Sequence, residues 1–169
     1  MFSRGKMLKR LTTAISVLGA TLAIAAVASA EILVDPPSRA EYVSTVDPIC
    51  KKTFDTNRKV LKNVRPLVKA DKFDPAAAKF ATASKNVGSM IKSLEAVPRP
   101  TEDSVRLEKW FKFLKIIKTN LGKIGTALKQ ENEVKANHET IRTERSSNAA
   151  NNVSFVFQFK YCALKPSQF

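Results

Sequence analysis

From residue 42 the apolar side chains recur in steps of three and four: Tyr42, Val46, Ile49 and Cys50, Phe54, Val60 and Leu61, Val64, Leu67 and Val68. That spacing lays one stripe along a helix. An extended lead-in over residues 31–37 precedes it, and Ser38 is placed to cap it. Pro48 interrupts the stripe, and two readings fit. A helix starts there, with Asp47 as cap and Pro48 in the first position, or a longer helix kinks there. Pro66 is expected to distort the last turn. Asp74-Pro75 opens a second helix as cap and first residue, with the stripe Phe80, Ala83 and Ser84, Val87, Met90 and Ile91, Leu94, Val97. Pro98 and Pro100 stop it, because a residue before proline is pushed out of the helical region.

Thr101 begins the third helix, where Glu102 and Asp103 complement the positive end of the helix dipole. Leu107, Trp110 and Phe111, Leu114, Ile117, Leu121, Ile124 and Leu128 form its stripe. Gly122 and Gly125 mark a close helix contact or simply weaken the helix. The fourth segment, 132 to about 160, is polar in its first half, where only Val134, Ala136, Ile141 and Ala149 are apolar. Its second half alternates: Val153, Phe155, Phe157, Phe159 and Tyr161 share one parity. Alternation is a strand signal. No other segment reads as a strand, however, and a lone strand leaves its backbone groups unpaired. The segment is therefore read as helix, with Ala149, Asn152 and Val153, Val156 and Phe157, and Lys160 on one side.

Four helices with short connections predict an all-α fold, an up-down-up-down four-helix bundle. The bundle domain occupies residues 38–169. In that topology the start of the first helix and the end of the fourth share one end of the bundle. The two cysteines, Cys50 and Cys162, fall there. They are expected to close the bundle as one disulfide, with two buried thiols or an intermolecular bridge as the alternatives.

The first thirty residues stand apart. Arg4, Lys6, Lys9 and Arg10 precede a mostly apolar stretch over residues 11–27, and Ala28-Ser29-Ala30 is a small-residue cleavage site. This is the pattern of a secretory signal peptide cleaved after Ala30. An uncleaved anchor is the alternative, although the stretch is short for a membrane span. Met7 opens a more ordinary signal than Met1. Export makes the disulfide reading natural, and it bears on partners. The formal charge of +14 falls to +10 without the four basic residues of the signal. Outside the cytoplasm such a chain meets anionic membrane surfaces and wall polymers; nucleic acid is not the expected partner.

The motif Asp47-Pro48-Ile49-Cys50, the break Val97-Pro98-Arg99-Pro100 and the late Phe159-Lys160-Tyr161-Cys162 resemble those of a group of secreted helical proteins of actinobacteria. The resemblance implies a helical extracytoplasmic fold over nearly all of residues 31–169. The group has no established activity, so no catalytic residue is carried over.

Little points to catalysis, and no cofactor or metal is expected. His138 is the single histidine and lies on the polar half of the fourth segment. Cysteine and histidine do not cluster at metal-ligand spacing, and no phosphate-binding loop or nucleophile elbow is present. The carboxylate neighbours Glu102 and Asp103, and Glu131 and Glu133, sit at helix boundaries, where capping explains them. Asn148, Asn151 and Asn152 precede the aromatic stretch and line a polar pocket or bond neighbouring helices. The sequon at Asn152 lies in a segment that reads as packed.

The basic residues carry more. Lys109, Lys112, Lys115, Lys118 and Lys123 recur along the third helix, and Lys59, Lys62 and Arg65 along the first. They are candidates for contact with an anionic surface, or are ordinary solvated faces. Trp110 and Phe111 fall near the core stripe, so no aromatics interleave with the lysines to stack on bases. The leading expectation is a non-catalytic envelope-associated binding protein. The alternative is a carrier of a small apolar ligand in the bundle interior near Tyr161, Phe157 and Trp110.

Overall fold

The computed structural model describes residues 35–164; the signal peptide expected over residues 1–30 lies outside them. Helix α1 (Arg39–Leu61) begins with a reciprocal cap. The Glu41 amide donates to the Ser38 hydroxyl at 3.3 Å, and the Ser38 amide donates to the Glu41 carboxylate at 2.8 Å. The Ser38 hydroxyl and amide hold the Glu41 carboxyl below its usual pKa. The helix runs through Pro48, so the reading in which it starts there is set aside, and Asp47 is free for another use.

The chain does not merely distort at Pro66. It breaks earlier, where Asn63 adopts a left-handed φ of 66°, and a short helix α2 (Val64–Lys69) follows. Pro66 sits in the first turn of α2, where its missing N–H was to be unpaired in any case. Helix α3 (Phe73–Glu95) has Asp74 and Pro75 inside its first turn rather than as cap and first residue, and it ends before Pro98 and Pro100. A 3-10 turn at Thr101–Asp103 leads into α4 (Ser104–Lys129).

Two helices end in the same way. After α4 the Asn132 amide donates to Ala127 O at 2.9 Å and the Glu131 amide to Leu128 O at 2.8 Å, with Glu131 at φ 54°. After α2, Lys72 and Asp71 bond Leu67 O and Val68 O equivalently. These are Schellman ends with glutamate and aspartate where glycine is usual. Asn132 then caps α5 (Glu133–Ser154) by accepting from the Lys135 amide at 2.9 Å.

α5 explains why its sequence stripe was weak. Its buried seam is Ala136, Glu139, Thr143, Ser147, Ala150 and Ser154. The buried hydroxyls of Thr143, Ser147 and Ser154 donate to carbonyls four residues back, at 2.8–2.9 Å. Polar residues thus pack as small ones, their hydrogen bonds satisfied inside the helix. Val134 and Ile141, the larger apolar residues of this half, face solvent instead.

The helical reading of the aromatic stretch is corrected. The helix stops at Ser154, Phe155–Phe157 is a 3-10 turn, Gln158 is left-handed, and no strand forms among the described residues. Alternation nevertheless governs burial past the turn: Phe157 and Phe159 are buried, Gln158 and Lys160 exposed. The missing partner strand is replaced by two side chains. The Asp47 carboxylate accepts from the amides of Lys160, Tyr161 and Cys162 at 2.9, 3.0 and 3.0 Å. Asn151 accepts from the Leu164 amide at 2.7 Å and donates to its carbonyl. A lone extended segment can be stable when side chains supply its ladder.

The described residues form an up-down-up-down four-helix bundle of α1, α3, α4 and α5. α1 packs on α3, α3 on α4 and α4 on α5, and the Cys50–Cys162 disulfide returns the chain to α1. Around that ring α1 and α4 are diagonal. Gly125 settles the question of close contact: a Cβ there would stand 3.0 Å from the Ala77 carbonyl oxygen on α3, while at Gly122 it meets only Ser84 Oγ at 3.4 Å. Among the described residues no helix is long and apolar enough to cross a membrane. A buried disulfide is consistent with an extracytoplasmic location.

Candidate anion-binding surfaces

At the disulfide end the core is aromatic. Phe157 and Phe159 stack with centroids 5.1 Å apart, Trp110 stacks on Phe159 at 5.2 Å, and Tyr42 tilts against Phe157. These rings fill the place where a carrier would hold its ligand. Burial pushes the Tyr42 hydroxyl up to about 12, against a smaller opposing effect of Arg99. Neither Tyr42 Oη nor Trp110 Nε1 has a hydrogen-bond partner among the described residues. Arg39 straps this end. Its guanidinium donates to both oxygens of the buried Asp103 carboxylate, at 2.6 and 2.9 Å, and lies 5.6 Å from the Phe157 ring centre. Asp103 is thus the anchor of a cross-helix pair rather than a capping residue, and Glu102 is exposed beside it.

The surface feature with chemical content is a groove along the outward side of α4. It holds about 930 Å³ and runs from Val105 to Lys123, about 27 Å of helix axis. Lys109, Lys112, Lys115 and Lys123 line it, as the sequence stripe predicts, joined by Arg99 and Arg142; Glu95 and Glu108 are the carboxylates among its lining residues. Lys115 is paired with Glu95 at 2.7 Å. Arg99 lies over the Phe111 ring at 4.5 Å, which holds the guanidinium at the rim. Arg142 stands 3.7 Å from the buried Glu139, whose second oxygen has no partner among the described residues. Phe111 and Ile116 give the groove apolar patches, and Asn120 adds a buried amide whose nitrogen is also without a partner among the described residues.

Lys118 does not join this set: its aliphatic stem lies against Gly88 of α3. Arg99 and Arg142 were missed by sequence reasoning. Arg99 was hidden in a proline break, and Arg142 comes from α5, so no spacing along α4 could have found either. Lys59, Lys62 and Arg65 fall elsewhere, exposed at the end of α1 and on α2, with Lys69 and Lys72 beside them.

His138 is exposed and its Nδ1 is 3.9 Å from Glu139. Among the described residues no three histidine, cysteine, aspartate or glutamate side chains gather as a metal site. Asn151 is spent on Leu164, while Asn148 and Asn152 are exposed. No family model matches the chain, and comparison with curated proteins and with solved structures returns no match.

Proposed function

We propose that the protein is exported by a signal peptide over residues 1–30 and acts outside the cytoplasm as a non-catalytic binding protein. Its ligand is a linear anionic polymer of the cell envelope, laid along the α4 groove. The observation that carries this reading is the groove's charge: six cations against two carboxylates. Its shape selects among anionic partners. A bilayer is flat and rests on convex surfaces, whereas a single polymer chain can enter a groove about 27 Å long. Trp110 and Phe111 are buried, so the groove offers no stacking platform for nucleic acid bases.

The test is co-sedimentation of residues 31–169 with isolated cell walls, with anionic vesicles and with neutral vesicles, at low and high salt. Binding to walls that is lost at high salt, and lost on Lys109→Glu/Lys112→Glu/Lys123→Glu, is the expected result. Binding to anionic vesicles but not walls would move the partner to the membrane. Absence of binding to either at low salt would overturn the reading.

A further inference from the structure

The groove accounts for only part of the exposed positive charge. A second basic surface is built where α1 breaks into α2. Lys59, Lys62, Arg65, Lys69 and Lys72 are all exposed there. None of the five makes an ion pair among the described residues. Between residues 58 and 72 the only carboxylate is Asp71. The left-handed Asn63 ends α1 and α2 follows at once, so these residues lie on both sides of an elbow in the chain, within residues 59–72.

The elbow and the groove belong to diagonal helices of the ring, and the groove lies on the side of α4 turned away from the core. Helix axes in contact stand about 8–10 Å apart and each helix is about 10–12 Å across. The outer faces of diagonal helices are therefore roughly 25 Å apart. Screening at physiological ionic strength has a length of about 8 Å. A polyanion on one face is thus hardly felt at the other, and occupying the groove leaves the elbow's attraction intact.

We infer that the protein is a two-faced linker, holding one anionic polymer chain in the α4 groove and a second on the α1–α2 elbow. This rests on the proposed polyanion binding, and extends it from attachment to cross-linking. Two independent faces on one small domain tie neighbouring strands together, and the strength of the network depends on the number of ties rather than on the affinity of each.

Long-chain inorganic polyphosphate serves as the soluble probe, with binding followed by calorimetry and cross-linking by light scattering. Scattering is expected to rise and then fall as polymer is added, because excess polymer supplies each face with a separate chain. Reversing either face alone, with Lys109→Glu/Lys112→Glu/Lys123→Glu or with Lys59→Glu/Lys62→Glu/Arg65→Glu, should retain binding at about half the stoichiometry. Peak scattering should then drop by about tenfold or more. A charge-matched control, Lys85→Glu/Lys92→Glu/Lys135→Glu, alters exposed lysines off both faces and should still cross-link. Far-ultraviolet circular dichroism confirms that each variant is folded. Wild-type binding without scattering, or equal loss of scattering in the control, overturns the linker while leaving polymer binding in place. No wild-type binding at all overturns both.

Discussion

Asp47→Asn is the sharpest perturbation of this fold. The carboxylate accepts three consecutive amides of the segment that carries Cys162. Hydrogen bonds to a charged group are worth about 1.5–3 kcal/mol each and neutral ones about 0.5–1.5. Asparagine keeps an oxygen for Tyr161 and Cys162, both of which use Oδ1, but turns an N–H toward the Lys160 amide. The Lys160 amide is exposed and can turn to water, so its loss counts for less. The net cost is about 2–3 kcal/mol. Helix propensity does not confound it, because aspartate and asparagine are nearly equal inside a helix. Trp110 is the chain's single tryptophan and stacks on Phe159 in the tethered segment, so its fluorescence reports both the segment and global unfolding. Urea titration should show a lower midpoint with the slope preserved. In a Cys50→Ser/Cys162→Ser background the same substitution should cost less, since carboxylate and bridge hold one segment and their losses are not additive. A change below about 0.5 kcal/mol in the disulfide-bonded protein, with Trp110 emission unaltered, would refute the claim that Asp47 replaces a partner strand.

Other expectations rest on single residues. Tyr42 ionises near pH 10 in the unfolded chain and only at about 12 when folded; stability is therefore full below pH 10 and falls as pH rises through that window, by up to about 3 kcal/mol. Tyr42→Phe should remove that fall, and should not destabilise at neutral pH, since its hydroxyl has no partner among the described residues; melts at pH 8 and 11 check both. Gly122→Ala should stabilise by about 0.5–1 kcal/mol through helix propensity, whereas Gly125→Ala should destabilise because its methyl meets the Ala77 carbonyl; paired thermal melts decide. Removing the disulfide, which closes a loop of 112 residues, should cost about 4–5 kcal/mol by chain-entropy arithmetic, read as the shift in urea midpoint.

The helices were legible where apolar spacing and proline punctuation agreed, as in α3 and α4. Topology was then given by connection length, and it agreed with the disulfide read from two cysteines in a chain expected to be exported. Elsewhere the signal lay off the local chain. α5 buries threonine and serine that satisfy themselves on the preceding turn, so hydropathy along the chain understates its seam. The period-two alternation after residue 154 was a true signal of burial at Phe157 and Phe159. Its backbone pairing comes not from another strand but from Asp47, more than a hundred residues upstream. Asp47 itself looked like a helix cap beside proline, and nothing local distinguishes that role from the one it has. The groove shows the same division: its lysines repeat along one helix and are visible in sequence, but Arg99 and Arg142 arrive from other elements.

The position of Cys162 has a consequence for biogenesis. It comes after the last helix, so Cys50 waits as a lone thiol until Cys162, 112 positions later, is made. At about 5–20 residues per second that interval is on the order of ten seconds. Meanwhile the α3–α4 and α4–α5 hairpins, formed from neighbours in sequence, can assemble early. Oxidation therefore seals an arrangement that the hairpins have already reached; it does not guide the chain toward it. The exposed interval is also when the Cys50 thiolate can attack a foreign disulfide, forming a mixed disulfide and releasing the other sulfur as a thiol, so the yield of correctly bridged protein should depend on how quickly the final segment reaches Asp47.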